Sequence, residues 1–414
     1  MPPEPKGFFS LKTLDEVRQI EAEHFASLRT SPQTVAGWDA RGRVLAEDVR
    51  SPAPVPHFAR SVVDGYAVRA ADTAGASLGL PSYLEVVGCV LMGKPAEMAL
   101  HAGEAVEVPT GGMLPEGADA AAMIEHTELL GGTTIEVSRP VSPGQNVIRV
   151  GEDIAAGELC LPPGARLRAG ELALLATLGV TEVSVYRKPV VALLSTGDEV
   201  VPPDAQPGPA EVRDANWWGL AAMIADAGGE PRFAGIIRDV EGSLEQAARD
   251  AYDSSDALII SGGSSVGERD LARQVLDGLG EPGVLVHGVA LKPGKPTIIG
   301  LAAGKPVFGL PGHPLSAMVS FHRLVRPILR RLGGETDLWE PTVAARLSRK
   351  VPSDSGRTEY VRVRLVRQEG ELIAEPLFGK SAALSSLIAA RGLVEVPLGV
   401  EGLDAGETVS VLLI

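Results

Sequence analysis

Glu268 and Asp270 close the run 258–270, LIISGGSSVGERD, and pose the chain's first chemical question. Two carboxylates one residue apart stand where a divalent metal could bridge protein and phosphate oxygens. Ahead of them Ser261, Gly262, Gly263 and Ser264 are too small to keep a ligand from the backbone. Successive N–H groups in such a loop can close on an anion, and a helix start behind it adds a favourable dipole. The same residues also suit an ordinary strand-to-helix turn. A second stretch, VALKPGKP at 289–296, places Lys292 and Lys295 around a Pro-Gly turn. Two compact point charges there suit phosphate, with a solvated turn as the plain alternative. A third, GLPGHPLSA at 309–317, puts Pro311 and Gly312 ahead of Pro314, a residue favoured at the first helical position. The free N–H groups of that helix start, with Ser316, offer another anion pocket or simply a plain helix start. His313 falls at the N-cap, where Asn, Asp or Ser is more usual.

These residues need elements to position them. From Pro189 onward strand-like and helix-like segments alternate: VVALLS, a helix over about 216–227, GIIRDV, a helix over 241–252, then ALII. A helical pattern of Leu271, Val275 and Leu279 follows, then strand-like residues, PVFGL and a long helix over 314–332. Such alternation predicts a parallel, doubly wound sheet whose ligands bind beyond the carboxyl ends of the strands. Asp198, Glu199, Asp239, Glu268 and Asp270 all fall at those ends. Carboxylates with purely structural roles would scatter, and these gather on one edge.

Composition narrows the function further. The 414 residues allow two to four domains, and 45% hydrophobic content with only 4% aromatic allows large, mostly aliphatic cores. A formal charge of −15 argues against nucleic acid and anionic membranes as partners, so an anionic ligand must meet a local cluster of cations. Cys89 and Cys160 make neither a disulfide framework nor a metal spacing. With no signal pattern and no run of 18 apolar residues, a soluble cytoplasmic protein is expected.

The flanking regions read differently. Thr13 and Glu16 form a capping box before the helical face Val17, Ile20, His24 and Phe25. Asp64-Gly65 is a turn signal between β-prone runs, which predicts Asp64 at a hairpin tip, where an Asp commonly caps its own backbone. Residues 82–138 read as short strands broken by Gly and Pro, with Thr110 opening a long turn-rich loop. A helix is expected over 170–178 and a strand after it. From about 342 onward the chain is strand-like, which predicts a separate small β domain of barrel type, carrying Arg357, Arg362, Lys380, Ser381, Ser385 and Ser386.

Together SVVDGYAV, PTGGMLPEGADA, STGDEV, GIIRD, SGGSSVGERD, LKPGKP, GLPGHPLSA and GRTEYVRVRL resemble, in order and over essentially the whole chain, the molybdopterin molybdenumtransferase family. That family includes bacterial MoeA and the E domains of gephyrin and its plant counterpart. The resemblance implies a multidomain α/β fold of four domains: an elongated one (1–54 and 139–187), a small β domain (55–138), a MogA-like α/β domain (188–336) and a C-terminal β-barrel (337–414). It implies a homodimer whose active site is shared between subunits. The implied reaction inserts molybdate into adenylylated molybdopterin, with Mg2+ and release of AMP. By motif, Asp64 and Thr110 would reach the partner's cleft, and Glu199, Asp239 and Asp270 would be essential acids. Asp239, Glu268 and Asp270 would hold the metal. Ser261, Gly262, Gly263 and Ser264 would cradle phosphate. Lys292, Lys295, Pro311, Gly312, Pro314 and Ser316 would hold phosphate or molybdate, and Arg357, Ser381 and Ser385 would line the molybdate side. Residues 59–63, ARSVV, stand where the common pattern has Asp-Asn-Ser-Ala-Met; Gly288 replaces a frequent lysine and His313 the usual Asn. Those departures bear on molybdate against tungstate rather than on the reaction class.

Two other functions are compatible with parts of this pattern. A MogA-like adenylyltransferase would make adenylylated molybdopterin, but SVVDGYAV and the C-terminal β domain are extra to it. A gephyrin-like scaffold would bind partner peptides, but the full set of acids argues against a chain that has lost catalysis.

Overall fold

A computed structural model describes residues 11–414 except 239, 241, 263–267, 355 and 380–383, with the backbone alone at 268–270. The chain divides into two units, one of residues 1–47, 163–172 and 182–414, the other of 48–162 and 173–181.

In the first unit the strand–helix alternation from residue 190 is realised. Its elements are β1 (Val190–Thr196), α1 (Ala215–Asp226), β2 (Glu230–Ile237), α2 (Ser243–Asp253), β3 (Ala257–Gly262) and α3 (Glu268–Asp277). After them come β4 (Pro282–His287), β5 (Ile298–Ala302), β6 (Lys305–Leu310), α4 (Pro314–Ser320) and α5 (Arg326–Leu332). The sheet order is β2-β1-β3-β6-β5-β4. Pairing is parallel from β2 through β6, while β5 runs antiparallel to both β6 and β4. The reversal comes from a two-residue hairpin in which Ala303 and Gly304 both take positive φ, 42° and 86°. That conformation matches the strand twist, and glycine adopts it readily. The expected long helix is one continuous rod with a π turn at Phe321–Val325, directly before Pro327, which has no N–H to donate.

Both sheet faces are buried, as a doubly wound sheet requires. Val191 and Leu193 of β1, with Ala257 and Ile259 of β3, join Leu220, Ile224, Phe321 and Ile328 in one core. Their neighbours Ala192, Leu194, Leu258 and Ile260 point the other way, onto Leu244, Ala248, Val275 and Leu276. The period of two in the strands thus assigns α1, α4 and α5 to one face and α2 and α3 to the other. Burying one such leucine is worth ~2 kcal/mol. The N-terminal helix Leu14–His24 begins with the expected capping box, Thr13 and Glu16 each accepting from the other's backbone N–H, and adds Leu14, Val17 and Phe25 to the first core.

Strands β7 (Thr342–Leu347), β8 (Thr358–Gln368), β9 (Glu371–Pro376), β10 (Gly392–Val396) and β11 (Thr408–Leu413) follow. They close into a five-stranded barrel through β8–β9, β9–β7, β7–β11, β11–β10 and β10–β8 pairings. The two-residue strand Leu291–Lys292 pairs in parallel with Thr358 and Glu359, so the lysine-bearing turn is laid on the start of β8.

The second unit holds a six-stranded sheet in the order 120–123, 65–68, 104–108, 82–89, 134–137, 127–130. Asp64 is not at a hairpin tip. Arg60–Ser61 pairs with Val147–Ile148, whereas Gly65–Val68 pairs with 104–108 and 120–123, so the two runs flanking Asp64 have different partners. Gly65 is required by close approach: a Cβ there would lie 1.9 Å from the Ala122 carbonyl oxygen.

Candidate active site

The strand order reverses between β1 and β3, because the chain steps from β1 outward to β2 and then returns to the other side. Crevices of this kind form at the carboxyl ends of the strands flanking the reversal. A cleft of about 510 Å³ opens there, lined by Ser195 and Thr196 of β1, Ser261 and Gly262 of β3, and Glu199, Asp214, Asn216, Gly312, His313 and Pro314. Gly262 takes φ +132°, and a Cβ on it would lie 2.2 Å from the Thr196 carbonyl oxygen. Only glycine lets the two strand ends come this close.

A lattice of hydrogen bonds fixes the cleft wall. Asp214 is the N-cap of α1: it accepts from Trp217 N at 3.0 Å through Oδ1 and from the Ser195 hydroxyl at 2.6 Å through Oδ2. Asn216, the second residue of α1, donates from Nδ2 to the Ser261 hydroxyl at 2.8 Å and to the Gly312 carbonyl at 2.9 Å. Strand β1, strand β3, helix α1 and the turn at 311–314 are thereby tied at one point. The Asn216 Oδ1 accepts no hydrogen bond from the described residues.

The 311–316 turn also lines a second cavity. About 330 Å³ is enclosed by Lys292, Pro293, Leu315, Ser316, Arg357, Glu359, Tyr360, Arg362 and Phe378 among others. Three cations face one carboxylate in that lining. Lys292 Nζ lies 3.2 Å from Asp354 and 3.1 Å from Glu359. Burial opposes its charge, but the hydrogen bonds to Glu359 and Asp354 outweigh burial and hold the ammonium pKa above its usual value. Gly312, His313 and Pro314 therefore line one cavity while Leu315 and Ser316 line the other.

The expected site residues sort plainly against this geometry. Glu199, Ser261, Gly262, Gly312 and Pro314 line the first cleft, with Pro311 buried beside them; Lys292, Ser316 and Arg357 line the second cavity. Lys295 and Ser385 are exposed and line neither. His313 is the N-cap of α4 but makes no side-chain cap bond. Asp64 and Thr110 do meet, Thr110 N donating to Asp64 Oδ1 at 2.8 Å. Asp239, Gly263, Ser264, Lys380 and Ser381 lie outside the described residues, and for Glu268 and Asp270 only the backbone, in the first turn of α3, is described. Among the described residues no trio of His, Cys, Asp or Glu gathers as a metal site. Three carboxylates following β2 and β3 are nevertheless the hard oxygen donors that Mg2+ takes. Sequence reasoning missed Ser195, Asp214, Asn216 and Glu359. The Asp-Ala-Asn before an apolar helix was a readable N-cap signal for the middle pair.

Three stretches match known families in order: MoeA N-terminal region (domain I and II) over residues 12–179, probable molybdopterin binding domain over 192–331, and MoeA C-terminal region (domain IV) over 344–414. The molybdopterin molybdenumtransferase of Bacillus subtilis is 37% identical over 385 residues, 92% of this chain and 89% of that protein. The chain belongs to the molybdopterin molybdenumtransferase family. Membership makes it a transferase of molybdenum cofactor biosynthesis. Two solved structures agree with the fold over nearly the full length, both described as molybdopterin biosynthesis MoeA proteins of Pyrococcus horikoshii. One has TM-score 0.85 at 31% identity, covering 98% of this chain and 100% of that one. The other has TM-score 0.78 at 41% identity, covering 98% and 99%. The stretch that matches the probable molybdopterin binding domain spans β1 from Ala192 onward, α1, β3 and the 311–316 turn, which build the cleft. Among the described residues no helix is long and apolar enough to cross a membrane.

Proposed function

We propose that this transferase inserts molybdate into adenylylated molybdopterin and releases AMP, with Mg2+ bound. The observation that carries this reading is the pair of cavities on either side of the 311–316 turn. The larger, at the switch point, has the size and mixed polar and apolar lining of a site for a ring-bearing ligand. The smaller concentrates three cations, the electrostatics of an oxyanion site. A nucleotide-linked pterin in the first and molybdate in the second would present an oxyanion to a pyrophosphate across one turn. Positioned cations overcome the repulsion of two anions, so Lys292, Arg357 and Ser316 gather molybdate, and the α1 wall orients the pterin end. Bound Mg2+ would neutralise pyrophosphate charge, held by Asp239, Glu268 and Asp270, with Glu199 at the cleft rim. One molybdate oxygen would pass to the pyrophosphate phosphorus, breaking the P–O–P bond and freeing AMP, and a second would leave as water with the two thiol protons as the dithiolene sulfurs take their places on the metal.

The four domains of the family would fall at 1–54 with 139–187, 55–138, 188–336 and 337–414. In a homodimer the Asp64–Thr110 pair would complete the cleft of the other subunit. A MogA-type adenylyltransferase would supply the adenylylated substrate in the cytoplasm. The test is AMP release by the purified protein given adenylylated molybdopterin, Mg2+ and molybdate, with tungstate alongside. AMP is expected only when an oxyanion is present; oxyanion-independent release, or none, defeats the reading.

A further inference from the structure

The strand–helix domain and the barrel share an apolar seam and a chain of polar contacts that crosses it. Tyr360 of β8, Leu393 of β10 and Leu412 of β11 join the first core beside Leu324 and Ile328. Apolar contact is non-directional, so by itself it lets two domains slide on each other. The polar chain is directional. Arg323, in the middle of the π turn, donates from Nε to the Tyr360 hydroxyl at 3.0 Å and holds its guanidinium 5.1 Å from the centre of the Tyr360 ring. The hydroxyl in turn donates to Glu395 on β10 at 2.6 Å. A second N–H of Arg323 reaches Glu340 at 2.5 Å, and the other oxygen of that carboxylate accepts from Arg326 at 3.0 Å. Glu340 lies in the short link between α5 and β7. The helical rod, the link and two barrel strands are thereby tied together.

Protonation keeps the chain intact. Tyr360 is only 4% exposed, and burial above all pushes its phenol pKa up, so the hydroxyl stays a donor to Glu395 and an acceptor from Arg323. Burial opposes the Arg323 charge, but Tyr360 and Glu340 outweigh burial and hold its pKa above the usual value. The chain ends at the second cavity. Tyr360 lines that cavity with Arg357 and Arg362 of the barrel, while Lys292 and Ser316 come from the strand–helix domain. Its walls therefore belong to two domains and match only while those domains are in register. The switch-point cleft differs, since Leu384 is its one lining residue from beyond the strand–helix domain. Arg323 and Glu340 line neither space. We propose that Arg323 is a positioning residue of the transfer reaction: through Tyr360 and Glu340 it fixes the barrel on the strand–helix domain and so sets the spacing between the two walls of the second cavity. This rests on the reading of that cavity as the oxyanion site.

The experiment measures AMP release by the full-length wild type, Arg323→Met and Glu340→Gln. Molybdate is varied at saturating adenylylated molybdopterin, then adenylylated molybdopterin at saturating molybdate, with thermal unfolding alongside. Met keeps an apolar stem against Tyr360 and removes the fork. A shift of ~1 Å made far from the chemistry can cost ~10²-fold, so Arg323→Met should raise the molybdate KM by roughly tenfold or more. The KM for adenylylated molybdopterin should stay at the wild-type value, because the barrel hardly contributes to that cleft. Glu340→Gln, which keeps an acceptor oxygen but loses the charge, should raise the same molybdate KM by less. A residue that only stabilises the fold would lower Tm and the active fraction, and hence kcat, and leave both KM values alone; that result overturns the proposal. Equal rises in the two KM values overturn it as well. Should Arg323→Met not fold, a wild-type molybdate KM in Glu340→Gln overturns it equally. Wild-type AMP release that ignores molybdate refutes the oxyanion reading itself, whereas a molybdate-dependent wild type with unchanged variants refutes only the positioning role.

Discussion

Gly262→Ala tests whether the switch-point cleft depends on the close approach of two strand ends. At φ +132° a side chain is strained, at ~1–3 kcal/mol. The new Cβ would also stand 2.2 Å from the Thr196 carbonyl oxygen and 2.5 Å from its hydroxyl. Normal C···O contacts are ~3.3 Å, so β1 and β3 must part by about 1 Å at that point. Thr196 and Gly262 are the last register pair of that ladder, and losing a ladder hydrogen bond adds ~1 kcal/mol. The sum is ~2–4 kcal/mol. Gly304→Ala is the control: φ is also positive there, +86°, but nothing lies within 4 Å of the added Cβ. Only the conformational part, ~1–2 kcal/mol, should appear in it. Urea unfolding at 25 °C, with slopes compared between variants, reads both. Equal costs in the two variants, or less than ~1 kcal/mol for Gly262→Ala, would refute the steric argument.

Two further outcomes follow from charges elsewhere. Burial first, and then Arg326, push the His322 pKa down to about 4, whereas burial pushes Glu21 up to about 7. Between pH 4 and 6.5 the unfolded chain binds the His322 proton better, so that residue makes stability rise with pH, by about 3 kcal/mol in total. Between pH 4.5 and 7 the folded chain holds the Glu21 proton better, so that residue makes stability fall with pH. The two slopes oppose: His322→Gln should leave a stability that declines from pH 4.5 to 7, and Glu21→Gln one that rises from pH 4 to 6.5, both read by denaturant midpoints. If the cleft is completed by a second subunit, Asp64→Ala and Asp270→Ala proteins, each inactive alone, should regain partial AMP release when mixed as heterodimers. No recovery argues for a site within one subunit.

How far the sequence carried depends on whether a residue's partner is near it in the chain. Thr13 and Glu16 are three residues apart, and their capping box forms as read. The helices expected over 216–227, 241–252 and 170–178 stand at Ala215–Asp226, Ser243–Asp253 and Ala169–Thr177, because apolar periodicity is local. Asp64 misled because its turn signal is local while its strand neighbours are not: they lie at 104–108 and 120–123. Asp214 and Asn216 went unassigned for the same reason, since their partners Ser195, Ser261 and Gly312 are 19, 45 and 96 residues away.

Arg362 marks the sharper limit. Alternation along β8 correctly turns it out of the barrel, and an outward arginine on a barrel strand ordinarily meets water. It is buried because Leu377, Phe378 and Gly379 of the following segment and the 292–293 and 315–316 turns enclose the space it faces. No periodicity reports that enclosure. The same holds for the 311–316 turn, which sequence reasoning treated as one anion pocket. Its odd structural fact is that neighbours in the chain serve different cavities: Pro314 faces the switch-point cleft, and Ser316, two residues on, the cationic one. A helix start turns successive residues about 100° apart, so a few residues suffice to address two chambers. In the proposed reaction that geometry would hold two mutually repelling anions separately yet within one turn of each other, the arrangement that transfer between them requires.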